Sequence, residues 1–151
     1  MNNVIDRYLF KDGSLAWEFI GYPKIKEDTG TLNVIEFGKE IDFLIKRVFF
    51  LTNIDINSAR GFHAHEELNQ FLFCVNGSFN IVLDNGHEKV TYNLTPDSPG
   101  LFVDGKVWRE MNSFSEGSVM VVLCDREYRY DAVVRDYDEF KKNLEETNFG
   151  L

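Results

Sequence analysis

The chain is short of basic residues, cysteine, histidine and long apolar runs, and each shortage removes a class of function. Sixteen Lys and Arg stand against 25 Asp and Glu, for a formal net charge of -9. That balance leaves no basic stripe to neutralise a phosphate backbone, so nucleic acid is not an expected partner. An anionic membrane surface is disfavoured for the same reason. No apolar stretch approaches the roughly 20 residues of a membrane span. The opening Met-Asn-Asn-Val-Ile-Asp-Arg lacks the charged-then-apolar pattern of a secretory signal. No membrane partner is expected, and the cytoplasm is the expected location. The two cysteines, Cys74 and Cys124, each lie in an apolar run and read as buried free thiols rather than a disulfide or metal site.

What remains is rich in core-forming residues. With 44% hydrophobic residues and 14 Phe in 151 positions, the chain can bury a sizeable core in one domain. Short apolar or alternating runs recur between turn signals: Leu15–Ile20, Thr31–Phe37, Phe43–Leu51, Asn69–Val75, Phe79–Leu83, Lys89–Leu94, Leu101–Val103, Val107–Met111 and Ser118–Cys124. Asn76-Gly77-Ser78 reads as a tight turn pairing the strands on either side, and Asp84-Asn85-Gly86 as a second hairpin turn. Val107–Met111 reads as the resumption of a strand broken at Asp104-Gly105. Tyr137, Phe140, Lys141 and Leu144 have helical spacing, which predicts a short amphipathic helix over 136–146. Many short strands and one terminal helix give an all-β barrel or jelly roll. Residues 1–20 read as an N-terminal extension, an edge strand or dimer arm, ahead of the domain at 21–151.

Two of the three histidines fall in Arg60-Gly61-Phe62-His63-Ala64-His65. On an extended strand, side chains two apart share a face, so both imidazoles enter one space at the head of a β-meander. The spacing His63-x-His65-x4-Gln70-x6-Gly77 is that of the first cupin motif. Gln70 stands where a metal-binding cupin usually has Glu, and Arg109 where its third histidine would fall. An amide and a guanidinium are poor replacements for a carboxylate and an imidazole, so no metal is expected. His63 and His65 are then candidates for acid–base catalysis, since imidazole titrates near neutrality. Hydrogen-bonded structural histidines are the alternative. Arg60 and Arg109 are candidates to hold a phosphate or polarise a carbonyl, with Arg47, Gln70 and Asn76 as further substrate-binding candidates.

The chain resembles the sugar 3,4-ketoisomerases of the FdtA/QdtA (WxcM-like) group over about residues 21–146. The resemblance is carried by Tyr-Pro-Lys-Ile-Lys-x-Asp-x-Gly-x-Leu at 22–32, Ile-Lys-Arg-Val at 45–48 and Arg-Gly-Phe-His-Ala-His at 60–65. Gln70, Val-Asn-Gly-Ser at 75–78, Leu-Asp-x-Gly at 83–86, Trp-x-Glu-Met at 108–111 and Arg-Asp-Tyr-Asp-Glu-Phe at 135–140 complete it. It implies a cupin jelly roll, a homodimer and no metal or organic cofactor. The implied reaction moves a ketone from C4 to C3 of a thymidine-diphosphate-linked 6-deoxy sugar through an enediol. His63 and His65 would carry the protons, beside Arg60. If the two rings divide the acid and base roles, one should be neutral and one protonated near pH 7, with Arg60 favouring the neutral form.

Three positions depart from the pattern. Phe49 and Phe50 stand where the group has a tyrosine pair containing an expected catalytic tyrosine. Arg109 stands where it tends to have histidine, and Thr29 where it has arginine. All three are expected near the pocket. The alternatives are a non-catalytic sugar-nucleotide-binding cupin and, on the two histidines alone, a metal-dependent oxygenase.

Overall fold

The computed structural model describes residues 4–128 and 132–149. Two antiparallel sheets face each other. The six-stranded sheet runs β1 (Val4–Leu9), β2 (Leu15–Ile20), β10 (Gly100–Asp104), β7 (Asn69–Asn76), β12 (Val119–Cys124), β5 (Arg47–Leu51). The five-stranded sheet runs β13 (Val133–Val134), β6 (Arg60–His65), β11 (Trp108–Asn112), β8 (Phe79–Asp84), β9 (Lys89–Leu94). A small hairpin, β3 (Lys24–Glu27) with β4 (Gly30–Asn33), stands off the barrel with most of its residues exposed. The architecture is the expected jelly roll.

Between the sheets lies one apolar core, including Trp17, Leu72, Phe79, Ile81, Leu83, Leu101 and Val103. Alternation along each strand sends every second side chain into it. The outer face of the five-stranded sheet is covered by α1 (Tyr137–Phe149), whose Phe140 packs with Ala64, Trp108 and Val134. The helix starts where Asp136 accepts the Glu139 amide at 2.9 Å, satisfying one of the donors a first turn leaves free. Tyr137 hydroxyl donates to the buried Asp84 carboxylate, and Lys141 Nζ to the Gly86 carbonyl at 3.0 Å, so polar bonds flank the apolar contact.

Several expectations need correction. Asn76-Gly77-Ser78 does not join a paired hairpin: β7 and β8 belong to different sheets, and the chain crosses the barrel there. Gly77 has φ +71° and no room for a Cβ beside Ser115 and Ser118, so the corner requires glycine. The histidine strand likewise pairs with β11 and β13 rather than with β7. Val107–Met111 does not resume the strand before it, because the Asp104–Val107 turn carries the chain from one sheet to the other. Asp84-Asn85-Gly86 does open a hairpin, β8 with β9.

The strands read over Thr31–Phe37 and Phe43–Leu51 shrink to Gly30–Asn33 and Arg47–Leu51. The residues between are a strap. Ile35, Ile41, Phe43 and Ile45 leave the strand pattern to cover Ile20, Phe71 and Phe73 on the outer face of the six-stranded sheet. Burying that face outweighs continuing a ladder. In the N-terminal segment, β1 forms the sheet edge. Trp17, Phe19 and Ile20 of β2 point their apolar surface into the fold and leave none for a partner.

Candidate active site

β6 carries His63 and His65 on its inner face and Ala64 toward α1. The two Nε2 atoms are 3.1 Å apart with ring planes at 87°, so one ring donates to the other. A donor and an acceptor at the two Nε2 atoms require opposite tautomers when both rings are neutral. Nδ1 of His63 is buried without a hydrogen-bond partner.

A β-bulge shapes this strand. Arg109 pairs with His63 and Glu110 with Gly61, leaving Phe62 as the extra residue, with φ +56°. Gly61 has φ +89°, and a Cβ there would meet the Arg109 carbonyl oxygen at 2.8 Å. In a regular strand Arg60 and His63 would point to opposite faces. The inserted residue reverses that, and both line one cavity.

The cavity measures about 730 Å³ and opens between β5, β6 and the segments at residues 66–68, 126–128 and 132–135. Among the described residues, four arginines line it: Arg47, Arg60, Arg126 and Arg135. No lysine does. Arg126 pairs with Glu67 at 3.4 Å on the rim. The Arg47 guanidinium lies between the Phe49 and Tyr128 rings, at 5.4 and 5.5 Å from their centroids.

Arg109 takes a different part. It is 3% exposed and does not line the cavity. One Nη donates to Gln70 Oε1, and the other reaches the carbonyl oxygens of Asp104, Gly105 and Val107 at 2.9–3.1 Å. Burial pushes its pKa down to about 10, so it stays charged at neutral pH. With its donors occupied by protein acceptors, it is placed as an internal cation behind the histidines rather than a free phosphate ligand. Gln70, which does line the cavity, is held by it.

This cation and burial set the state of the imidazoles. Burial first, then Arg109, lowers His63 to about pKa 4. The same two causes in the same order, helped by His63 and Arg47, lower His65 to about 2. Both rings are therefore neutral at pH 7, and the expected split into one neutral and one protonated ring does not hold in the unliganded chain. Arg60 is not among the groups depressing them. Arg109, Arg135 and, for His65, Arg47 are.

Asn76 is not brought to the site. It ends β7 six residues beyond Gln70, about 20 Å along the strand, and bonds the Gly117 carbonyl. Thr29 sits in the turn between β3 and β4 and does not line the cavity. Phe49 lines it, and Phe50 reaches its edge while 62% exposed. Sequence reasoning missed Arg126, Tyr128 and Arg135, although the run Arg126–Arg135 is visibly basic and aromatic. It also missed Cys124, whose neighbours only the register reveals.

For a metal, the donors present do not fit. Among the described residues no three His, Cys, Asp or Glu side chains converge. Gln70, an amide, lines the cavity with the imidazoles, and the fixed Arg109 guanidinium acting on both rings repels a divalent cation.

The jelly roll, with a histidine pair on one inner strand and arginines lining the cavity beside it, is a cupin-like fold. The family model described as FdtA, WxcM-like, C-terminal matches residues 16–145, and the chain belongs to that family. It is 42% identical over 131 residues to the TDP-4-oxo-6-deoxy-alpha-D-glucose-3,4-oxoisomerase of Aneurinibacillus thermoaerophilus, covering 85% of this chain and 93% of that one. A point mutant of the 3,4-ketoisomerase QdtA from Thermoanaerobacterium thermosaccharolyticum, solved with TDP-4-keto-6-deoxyglucose, superposes with TM-score 0.83 at 35% identity, covering 89% of this chain and 96% of that one. The TDP-quinovose 3,4-ketoisomerase WlaRB from Campylobacter jejuni gives TM-score 0.79 at 36% identity, covering 84% and 98%.

The depressed imidazoles make stability depend on pH. A histidine whose folded pKa lies below its unfolded value of 6.5 contributes fully above pH 6.5 and loses that contribution as pH falls toward the folded value, about 4 for His63. Urea midpoints should therefore drop between pH 6.5 and 4, and less steeply in a His63→Asn/His65→Asn variant. Equal slopes would show that the rings are not buried neutral.

Proposed function

We propose that this chain is a metal-independent 3,4-ketoisomerase of a nucleotide-diphosphate-linked 4-keto-6-deoxy sugar. The observation that carries the reading is the contact between His63 and His65 on the cavity wall, with Arg109 standing behind them where a metal cupin needs a third imidazole. The TDP-linked sugars named for the relatives support this substrate class.

The chemistry needs two carbon proton transfers and one exchange between oxygens. A neutral imidazole removes the C3 proton, which is acidic because it is α to the C4 ketone. The resulting enediol takes the proton back at C4, while the proton of the C3 hydroxyl moves to the C4 oxygen. Two imidazoles joined through Nε2 can share these roles and spread the positive charge that forms on the ring accepting the proton. Imidazoles with pKa near 4 and 2 are weak bases. A bound diphosphate opposes the field of the arginines and raises both toward the range useful at neutral pH. Arg60, Arg126 and Arg135 support that role, since guanidinium forks suit phosphate oxygens.

The protein is proposed to act in the cytoplasm as a homodimer. No helix of the described residues is long and apolar enough to cross a membrane. Support for a dimer comes from β5, the free edge of the six-stranded sheet, which exposes Val48 and Phe50, with Phe37 and Leu44 also exposed. Light scattering at micromolar concentration should give twice 17.6 kDa, and a monomer mass would remove this part.

The reaction is tested with TDP-4-keto-6-deoxyglucose in deuterated water. Wild type should incorporate deuterium at the sugar carbons and form the 3-keto isomer. His63→Asn should abolish exchange, and His65→Asn should slow it by at least about a hundredfold, the scale of a lost acid or base. Tight binding without exchange would favour a non-catalytic sugar-nucleotide-binding paralogue, the reading suggested by Phe49.

A further inference from the structure

One row of the six-stranded sheet carries polar groups through the apolar interior. Arg47 on β5 pairs with Cys124 on β12, and Cys124 pairs with Gln70 on β7. Side chains at one level of adjacent antiparallel strands share a face, here the inner one. The Cys124 sulfur, fully buried, accepts Arg47 Nη2 at 3.4 Å and Gln70 Nε2 at 3.5 Å. Gln70 in turn gives its oxygen to Arg109. The thiol therefore joins a cavity arginine to the internal one through two side chains.

Arg47 is held in an unusual way. Two aromatic faces and a sulfur fix it, and its Nε is buried with no partner. A buried N–H without an acceptor is costly unless a ligand supplies one. A carboxylate at position 124 would hold Arg47 more strongly but would cancel its charge. A neutral thiol orients the guanidinium and leaves that charge directed at the cavity. Arg47 also acts on His65, so it lies at the histidine end.

We propose that Cys124 is a positioning residue whose sulfur aims the Arg47 guanidinium at the sugar oxygen that becomes negative during isomerisation. The inference rests on the ketoisomerase reading. As the C3–H bond breaks, the proton goes to an imidazole and the electron pair forms the C3–C4 double bond. The carbonyl pair moves onto the C4 oxygen, giving an enediolate. Arg47 donates to that oxygen. Protonation of C4 by the imidazolium and transfer of the C3 hydroxyl proton to the C4 oxygen complete the exchange with no net change in atoms or electrons. A fixed donor aimed where charge develops acts mainly on the transition state.

The test is a mutant cycle of Cys124→Ala, Arg47→Lys and the double variant, with Cys124→Ser and thermal unfolding of each. Cys124→Ala should lower kcat at least about tenfold with KM changed less than about threefold, the signature of an interaction made in the transition state. Cys124→Ser, whose hydroxyl can accept, should recover most of the loss. In Arg47→Lys, adding Cys124→Ala should cost less than about twofold more, because the positioned group is already gone. If Cys124→Ala does not fold, Cys124→Val gives the same comparison at closer volume. Unchanged kcat, a loss confined to KM, or losses that multiply in the double variant would overturn the inference while an active wild type leaves the isomerase reading intact. A wild type inactive on every 4-keto-6-deoxy sugar nucleotide would overturn both.

Discussion

The site depends on one buried guanidinium. Arg109 is satisfied by three backbone carbonyls and the Gln70 amide, and the nearby Asp104 carboxylate favours its charge. Buried charges usually require a partner of opposite sign. Here the oriented carbonyl dipoles and the charge of Asp104 share that place, and the guanidinium stays charged because burial lowers it only to about 10. Its consequences reach every neighbour. It disfavours a divalent cation, holds Gln70, and with burial keeps His63 and His65 neutral. The acid–base role proposed for the two imidazoles starts from that neutral state.

The cavity reconciles an acidic protein with an anionic substrate class. The chain carries -9 overall, yet four arginines from three separate segments meet at one opening. Local geometry rather than net charge decides what binds there. Guanidinium groups offer rigid forks and stack on rings, as Arg47 does between Phe49 and Tyr128. Burial and the surrounding arginines drive the histidines toward the neutral state. The proposed role of the ligand's negative charge is to raise their basicity.

The jelly roll, the terminal helix and the histidine face were legible because each rests on local pattern: period-two alternation, a helical stripe and the i, i+2 spacing of His63 and His65. Strand partners were not legible. A tight turn such as Asn76-Gly77-Ser78 looks the same whether it joins partners or crosses between sheets, and only sheet packing decides. The strap at residues 34–46 was read as strand because apolar residues covering a sheet and apolar residues within one have similar composition. Arg60 reaches the cavity through a bulge at Phe62 that no alternation rule announces. Arg109 was recognised as a replacement for a metal ligand, but its burial depends on three carbonyls supplied by the turn at Asp104–Val107. Cys124 read as an inert thiol, since its role follows from cross-strand register with Arg47 and Gln70.

The central claim is that His63 and His65 face the carbons that exchange the ketone. A crystal structure of the His63→Asn variant with a TDP-linked 4-keto-6-deoxy sugar tests it directly. C3 and C4 are expected within about 3.5 Å of position 63 or the His65 ring, the separation of groups poised to react. The diphosphate is expected against Arg60, Arg126 or Arg135. A sugar ring seated away from β6, or in wild type a metal ion bound by the two Nε2 atoms, would contradict it.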